Sequence, residues 1–293
     1  MRIVLALAAA ALSIAAATPE QAFKASLIDD NKAWAQTPHA ILKIQDAAYL
    51  GEGQSSSLIG AKGKPSSYHW GPTPKDMGAG VLTALVKNGH PVIVKDGKTY
   101  SDAEIAKGIL IDTDIDVSGA QTQVNAGVIG ARFMIFNQKN PDALSFKGVD
   151  YYPYNPAYII TATFTPDPKL PPHAFKTSRG TTKQFFHAGD ATFALNGKTM
   201  TLPFYTSDQG KIASLAAFFT DGLTGKETYG AGRYVDIDVK AYPPKSFQID
   251  FNYAYNPNCA RSRFFTCPVA IDNLDTEVRA GEKDPHKAHA QGA

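Results

Sequence analysis

Between residues 81 and 254 the chain falls into short runs of alternating apolar and polar residues, and Asp-Gly or Asn-Gly steps join the clearest of them. Alternation at a period of two places one set of side chains on a core and the other toward solvent. The Asp-Gly and Asn-Gly steps supply the positive φ that a two-residue hairpin turn requires. The clearest hairpin joins residues 191–195 to 198–204 through Asn196-Gly197, and Asp96-Gly97 joins 92–94 to 98–100. Runs at 81–86, 109–117, 128–136, 158–164, 213–219, 233–239 and 247–254 continue the series. Strands do not alternate with helices, which argues against a doubly wound sheet. The predicted fold is mainly β: an antiparallel sandwich or partly open barrel with an N-terminal helix.

That helix spans residues 19–35. Thr18 stands at the cap, Pro19 at the first helical position and Gln21 where a capping box needs it. Phe23, Leu27 and Trp34 recur on one face. Residues 55–80 are rich in Ser, Gly, Pro and Lys and are predicted to form a long loop around His69-Trp70.

Ahead of the helix, Met1-Arg2, an apolar run over residues 3–14 and Ala15-Ala16-Ala17 compose a secretory signal peptide cleaved after Ala17. The apolar run is shorter than the roughly 20 residues a spanning helix needs, so no membrane span is expected in the mature chain. The destination is periplasmic or secreted. Residues 18–140 form a β-rich region behind the leading helix, 141–283 a C-terminal β domain, and 284–293 a disordered polar tail whose His286 and His289 are solvated. A formal charge of +2, with the 29 basic residues scattered, does not favour nucleic acid.

Known chemistries find little footing. Thr220 replaces the first P-loop glycine, and Glu227 its required Ser or Thr. Val235 stands where a dinucleotide fingerprint starting at Gly230 needs its third glycine. Neither a cofactor nor a metal is implied. Asp112, Asp114 and Asp116 alternate along one predicted strand and form a solvated face. Cys259 and Cys267 sit in an oxidising compartment and are expected to form a disulfide; a thiolate metal pair is the weaker alternative.

A sharper case lies in 233–254. If the Tyr242-Pro243-Pro244 linker makes a hairpin, the apolar sets of both strands share the buried face. Asp236, Asp238, Asp250 and Asn252 then gather opposite. Asp236 would lie across from Asp250, and like charges so placed need a cation or a shared proton. Arg233, Arg261 and Arg279 are the local cations.

The run from Phe219 and Asp221 through Thr224-Gly225-Lys226-Glu227-Thr228-Tyr229-Gly230-Ala231-Gly232-Arg233 resembles the bacterial and archaeal domain of unknown function 1684 family. Asp250-Phe251-Asn252, Ala254-Tyr255-Asn256-Pro257, Cys259-Ala260, Thr266-Cys267-Pro268 and Ala280-Gly281-Glu282 carry the resemblance onward. Upstream, Tyr152-Pro153 and Asn155-Pro156-Ala157-Tyr158 fit its central strand entry. The resemblance implies no reaction, substrate or cofactor. It implies that Cys259, Cys267, Arg233, Asn252 and Asn256 are part of the family pattern, in which Arg261 and His187 have no evident place.

Three functions fit. The first is a binding module for a small polar ligand, a sugar or peptide, held by Arg233, Asn252, Tyr255, Asn256, Arg279 and Glu282, with Tyr151, Tyr152 and Phe265 as further aromatic walls. The second is a hydrolase using Asp236 and Asp250 as its carboxylate pair. The third is a structural envelope protein whose unusual residues form a satisfied buried network.

Overall fold

The computed structural model describes residues 17–73 and 82–287. Apart from Ala17, the proposed signal peptide lies outside them, as do His289 and the end of the tail. The first helix, α1, is Pro19–Ala35, and Thr18 and Gln21 form the expected capping box.

The N-terminal region is a two-sheet sandwich. One sheet has the order β1 (Ile44–Leu50), β9 (Val128–Asn137), β8 (Ile115–Asn125), β7 (Ile109–Asp112). The other runs β3 (Lys64–Gly71), β2 (Ser55–Ala61), β4 (Leu82–Lys87), β5 (His90–Lys95), β6 (Lys98–Tyr100). All pairings are antiparallel. Their facing apolar residues, including Phe133, Ile135, Leu82 and Ile93, share one core, plugged by Ile105 of the short helix α2 (Asp102–Lys107).

Two expectations fail here. Residues 55–71 are not a loop but the paired strands β2 and β3. Their serines hide the strand signal, yet buried Ser57 meets the Thr83 hydroxyl at 3.1 Å and Ser56 Oγ donates to Gly71 O at 2.8 Å, so both hydroxyls sit in the sheet with partners. Residues 109–117 are not one strand either: a turn at Thr113-Asp114 separates β7 from β8. The three aspartates therefore do not line one face. Asp112 accepts from Gly63 N at 2.7 Å, Asp114 pairs with Lys139 at 2.6 Å, and Asp116 meets His39 at 2.8 Å.

After the short helix α3 (Pro141–Ser145), the chain builds an eight-stranded, nearly closed barrel-like sheet. Its path is β15 (Arg233–Asp238), β14 (Ser214–Thr220), β13 (Lys198–Thr206), β12 (Thr182–Leu195), β10 (Ile159–Pro166), β16 (Ser246–Asp250). β11 (Pro172–Lys176) adds to β12, and β17 (Asp272–Asn273) to β14. Phe193, Leu202, Phe204, Phe219 and Ile249 fill the interior. The opposite faces of several strands are buried too: Phe218 and Tyr234 pack outside with Phe175 and Tyr205.

The predicted 233–254 hairpin does not form. β15 gives its ladder to β14, aligning Asp236 with Ala216, and β16 gives its ladder to β10, aligning Asp250 with Ile159. The two strands end the sheet path and flank its seam. The second is also shorter than predicted, because Phe251–Tyr253 wind into a 3-10 turn.

The two halves are joined by paired side chains. Gln123 Nε2 donates to Gln184 O at 2.9 Å and its Oε1 accepts from Gln184 N at 2.9 Å. Tyr49 OH donates to Phe264 O at 2.9 Å, and the Arg132 guanidinium lies 4.8 Å from the centre of the Phe265 ring. The tail begins in order: Asp284 N donates to Glu227 O at 3.0 Å, which corrects the expectation of disorder from residue 284.

Candidate functional site

Helix α1 docks on the barrel through Phe23, whose ring lies 5.3–5.7 Å from those of Tyr151, Tyr154 and Tyr253. This contact carries the later turns of the helix, with Asp30 and Trp34, over the segment that follows β16. Between them lies a cavity of about 340 Å³. Trp34, Tyr151, Tyr253 and Tyr255 wall it, and Asp30, Asn256, Asn258 and Glu282 are the polar groups of its lining.

Two of those groups are 1–2% exposed. Glu282 Oε2 accepts from Asn256 N at 2.7 Å, while Oε1 lies 2.7 Å from the Arg261 guanidinium without the alignment of a hydrogen bond. Asn256 Nδ2 donates to Lys283 O at 2.7 Å, but its Oδ1 has no hydrogen-bond partner. Such an orphaned buried acceptor costs on the order of 1–3 kcal/mol. Arg261 stacks on Trp34 at 5.2 Å from the ring centre, and its Nε and NH1 also lack partners. It borders a second cavity of about 500 Å³, together with Arg263 and Asn137.

Burial dominates the electrostatics. It pushes Glu282 up to about 7, against the pull of Arg261 and the Asn256 amide and with a further push from Asp30. Asp30 is raised as well, first by burial and then by Asp29. Burial likewise raises the phenols of Tyr151 and Tyr255, helped by Glu282 and Asp236 respectively. Carboxyls raised by burial in a concave site are a usual mark of a functional one.

Of the six ligand residues read from the sequence, Tyr255, Asn256 and Glu282 converge here. The other three do not. Arg233 is 1% exposed and fully used: NH2 meets Asp221 Oδ2 at 3.0 Å and donates to Val278 O at 2.9 Å, while NH1 donates to Ala280 O. Asn252 is equally closed in, donating to Asn155 O at 3.0 Å and to Asp250 Oδ1 at 2.8 Å and accepting from Asn155 N at 2.8 Å. Arg279 is half-exposed and pairs with Glu227 at 3.0 Å and Glu277 at 2.8 Å. Among the further aromatics, Tyr151 is a wall, Tyr152 donates instead to Glu227 at 2.8 Å, and Phe265 packs with Ile44 and Met134.

The carboxylate pair is not assembled. Asp236 accepts from Tyr255 OH at 2.7 Å, and Asp250 accepts from Asn252 N at 3.0 Å. Sequence reasoning missed Asp30 and Tyr253, and set Arg261 aside because the family pattern has no evident place for it. The available signal was the helix: a residue one turn before Trp34 on the same face is Asp30.

Cys259 and Cys267 are unbridged thiols in contact, with Cys259 N donating to Cys267 Sγ at 3.3 Å. Hydrogen bonds from Cys267, and beyond it from Ser178 and Tyr229, bring the Cys259 thiol down to about 6. Among the described residues no group of three His, Cys, Asp or Glu side chains could hold a metal ion, and no helix is long and apolar enough to cross a membrane.

Fold and cavity together define a β-barrel domain with a helix-lined, aromatic-walled cleft. Residues 144–283 match the model of the family described as "Protein of unknown function (DUF1684)", and that part of the chain is a domain of this family. A solution NMR structure of an uncharacterized protein of Haloarcula marismortui is 28% identical; the match covers 50% of this chain and 83% of that one at a TM-score of 0.43. No curated protein matches.

Proposed function

We propose that this chain is an exported binding module and that the cavity between α1 and the barrel takes a small polar ligand, a sugar or a peptide. One observation supports this above the rest: Asn256 Oδ1 is buried and unpartnered in an aromatic-walled space. A ligand hydrogen bond there removes a cost that the fold alone leaves in place. Arg233 and Asn252, whose hydrogen bonds are made within the protein, serve the barrel and not the ligand. The export half of the reading rests on the apolar leader before Thr18. In an oxidising compartment Cys259 and Cys267 then close a disulfide.

Thermal-shift and calorimetric titration with monosaccharides and short peptides tests the binding reading. A ligand at 100 times its Kd adds about 2.7 kcal/mol of stability, and Asn256→Ala should abolish the gain. A panel that leaves the unfolding temperature unmoved would sink it.

A further inference from the structure

We infer that the ligand of this cavity carries an organic cation, an alkylammonium or guanidinium group, held between tyrosine faces and the oxygens of Asn256 and Glu282. The inference rests on the binding reading above and narrows it.

Charge points to it first. The lining contains two carboxyl groups, Asp30 and Glu282, and no basic side chain. Arg261 reaches Glu282 from behind the lining, at 2.7 Å, so it answers one carboxylate and leaves the other. A neutral sugar would leave that excess in place, and an anion would add to it. Asp30 is partly exposed on the cavity wall and Glu282 is the buried carboxyl, so a cation complements this lining better than a neutral or anionic guest.

Geometry agrees. The unpartnered oxygen of Asn256 is an acceptor and can be satisfied only by a donor. Ammonium and guanidinium groups are donors with no acceptor, whereas a sugar hydroxyl is both. Three tyrosines and Trp34 line the space, and aromatic rings attract a cation once it is stripped of water. Arg261 over Trp34 is the same contact made by the protein itself.

The groups acting on Glu282 are Arg261 and Asn256 from the segment after β16, Asp30 from α1, and Tyr151 and Arg233 from the barrel. Of these, the one cation in contact with it is Arg261. With Glu282 half-protonated near pH 7, acid removes its charge and its pull on a cation. Binding should therefore weaken as pH falls.

The test is titration of the full chain with n-butylammonium and methylguanidinium chlorides, against methyl glucoside and sodium acetate, followed by fluorescence in a Trp70→Phe background so that Trp34 is the reporter. One or both cations should bind at pH 8, at least tenfold more weakly at pH 5.5, and at least tenfold more weakly to Glu282→Gln at pH 8. Tyr253→Ala, at a position 40% exposed, should also weaken them several-fold, with circular dichroism and thermal unfolding of the variant checking that helix α1 stays docked. Binding of glucoside or acetate but of neither cation overturns the cation and leaves the binding module. Equal cation affinity in wild type and Glu282→Gln overturns the cation too. Silence from all four probes, with peptides and sugars also failing in the broader screen, overturns both.

Discussion

Tyr234 and Tyr255 exchange both backbone hydrogen bonds, at 2.8 and 3.0 Å, across the seam where the barrel sheet ends. One bridge thus joins the edge of β15 to the segment after β16, and the same segment supplies Tyr255 and Asn256 to the cavity. On the other side, Tyr234 OH donates to Pro268 O, tying the seam to the chain just past Cys267. Closing the barrel and shaping the site are therefore one structural event. Changes that loosen the seam should register in both.

Asp221 and Arg233 supply the first test. Both are buried, and Asp221 Oδ2 also accepts from Val278 N at 2.8 Å. Removing one partner of such a pair strands a charge and costs roughly 3–5 kcal/mol. Arg233→Met and Asp221→Ala should each lower the unfolding free energy read from urea titration by that order. A loss under about 1 kcal/mol in both would mean the pair is not the anchor it looks.

Much of the fold was legible because alternation and turn chemistry are local. The Asn196-Gly197 hairpin and the α1 capping box depend on residues a few positions apart, and both were read correctly. The 233–254 hairpin failed for the opposite reason. Its strands do pack their apolar faces on one core, as predicted, but β14 and β10 take their ladders, and nothing within the segment encodes that preference. The cavity was half legible: Tyr255, Asn256 and Glu282 belong to the family motifs, while Asp30 and Trp34 arrive on a helix more than a hundred residues away. Arg233 and Asn252 misled because family membership marks a buried strut as readily as a ligand.

Glu282 makes stability depend on pH with a definite sign. Its pKa in the fold, about 7, lies above the ordinary carboxylate value of 4.5, so the folded state holds a proton that the unfolded chain releases. Stability from this group is full below pH 4.5 and is lost as pH rises through about 7, by up to about 3 kcal/mol. Urea titrations at pH 5 and pH 8 should show the loss in the wild type. Glu282→Gln, which cannot ionise, should flatten it.

Gly230 and Gly232 flank Ala231 in one family motif, yet their backbones ask for different things. Gly232 has φ +87°, and a Cβ there would sit 2.6 Å from Phe219 O and against Ala270; at Gly230 a Cβ would meet nothing within 4 Å. Gly232→Ala should cost about 2 kcal/mol or more, through left-handed strain and backbone collision. Gly230→Ala should fall within about 0.5 kcal/mol of wild type. Thermal unfolding of the two variants separates them.

The cysteine loop gives the most chemical of the predictions. Cys259 is half-buried and Cys267 is buried, so in the reduced protein alkylating reagents should find Cys259 first. With its thiol near 6, Cys259 should react at half its maximal rate close to pH 6, well below a free cysteine. Peptide mapping after a pulse of iodoacetamide reads both the site and the pH. Mild oxidation by a disulfide reagent moves two electrons and two protons from the pair to the reagent, leaving the protein two hydrogens lighter. Closing a loop whose ends lie eight positions apart should then add about 2.5 kcal/mol. The loop also carries Arg261 to Glu282, an ion pair that is already made with the thiols unbridged, so oxidation ought to narrow the motion of that pair further. A reduced form with the same stability and the same pH response as the oxidised one would show that loop and cavity are energetically independent.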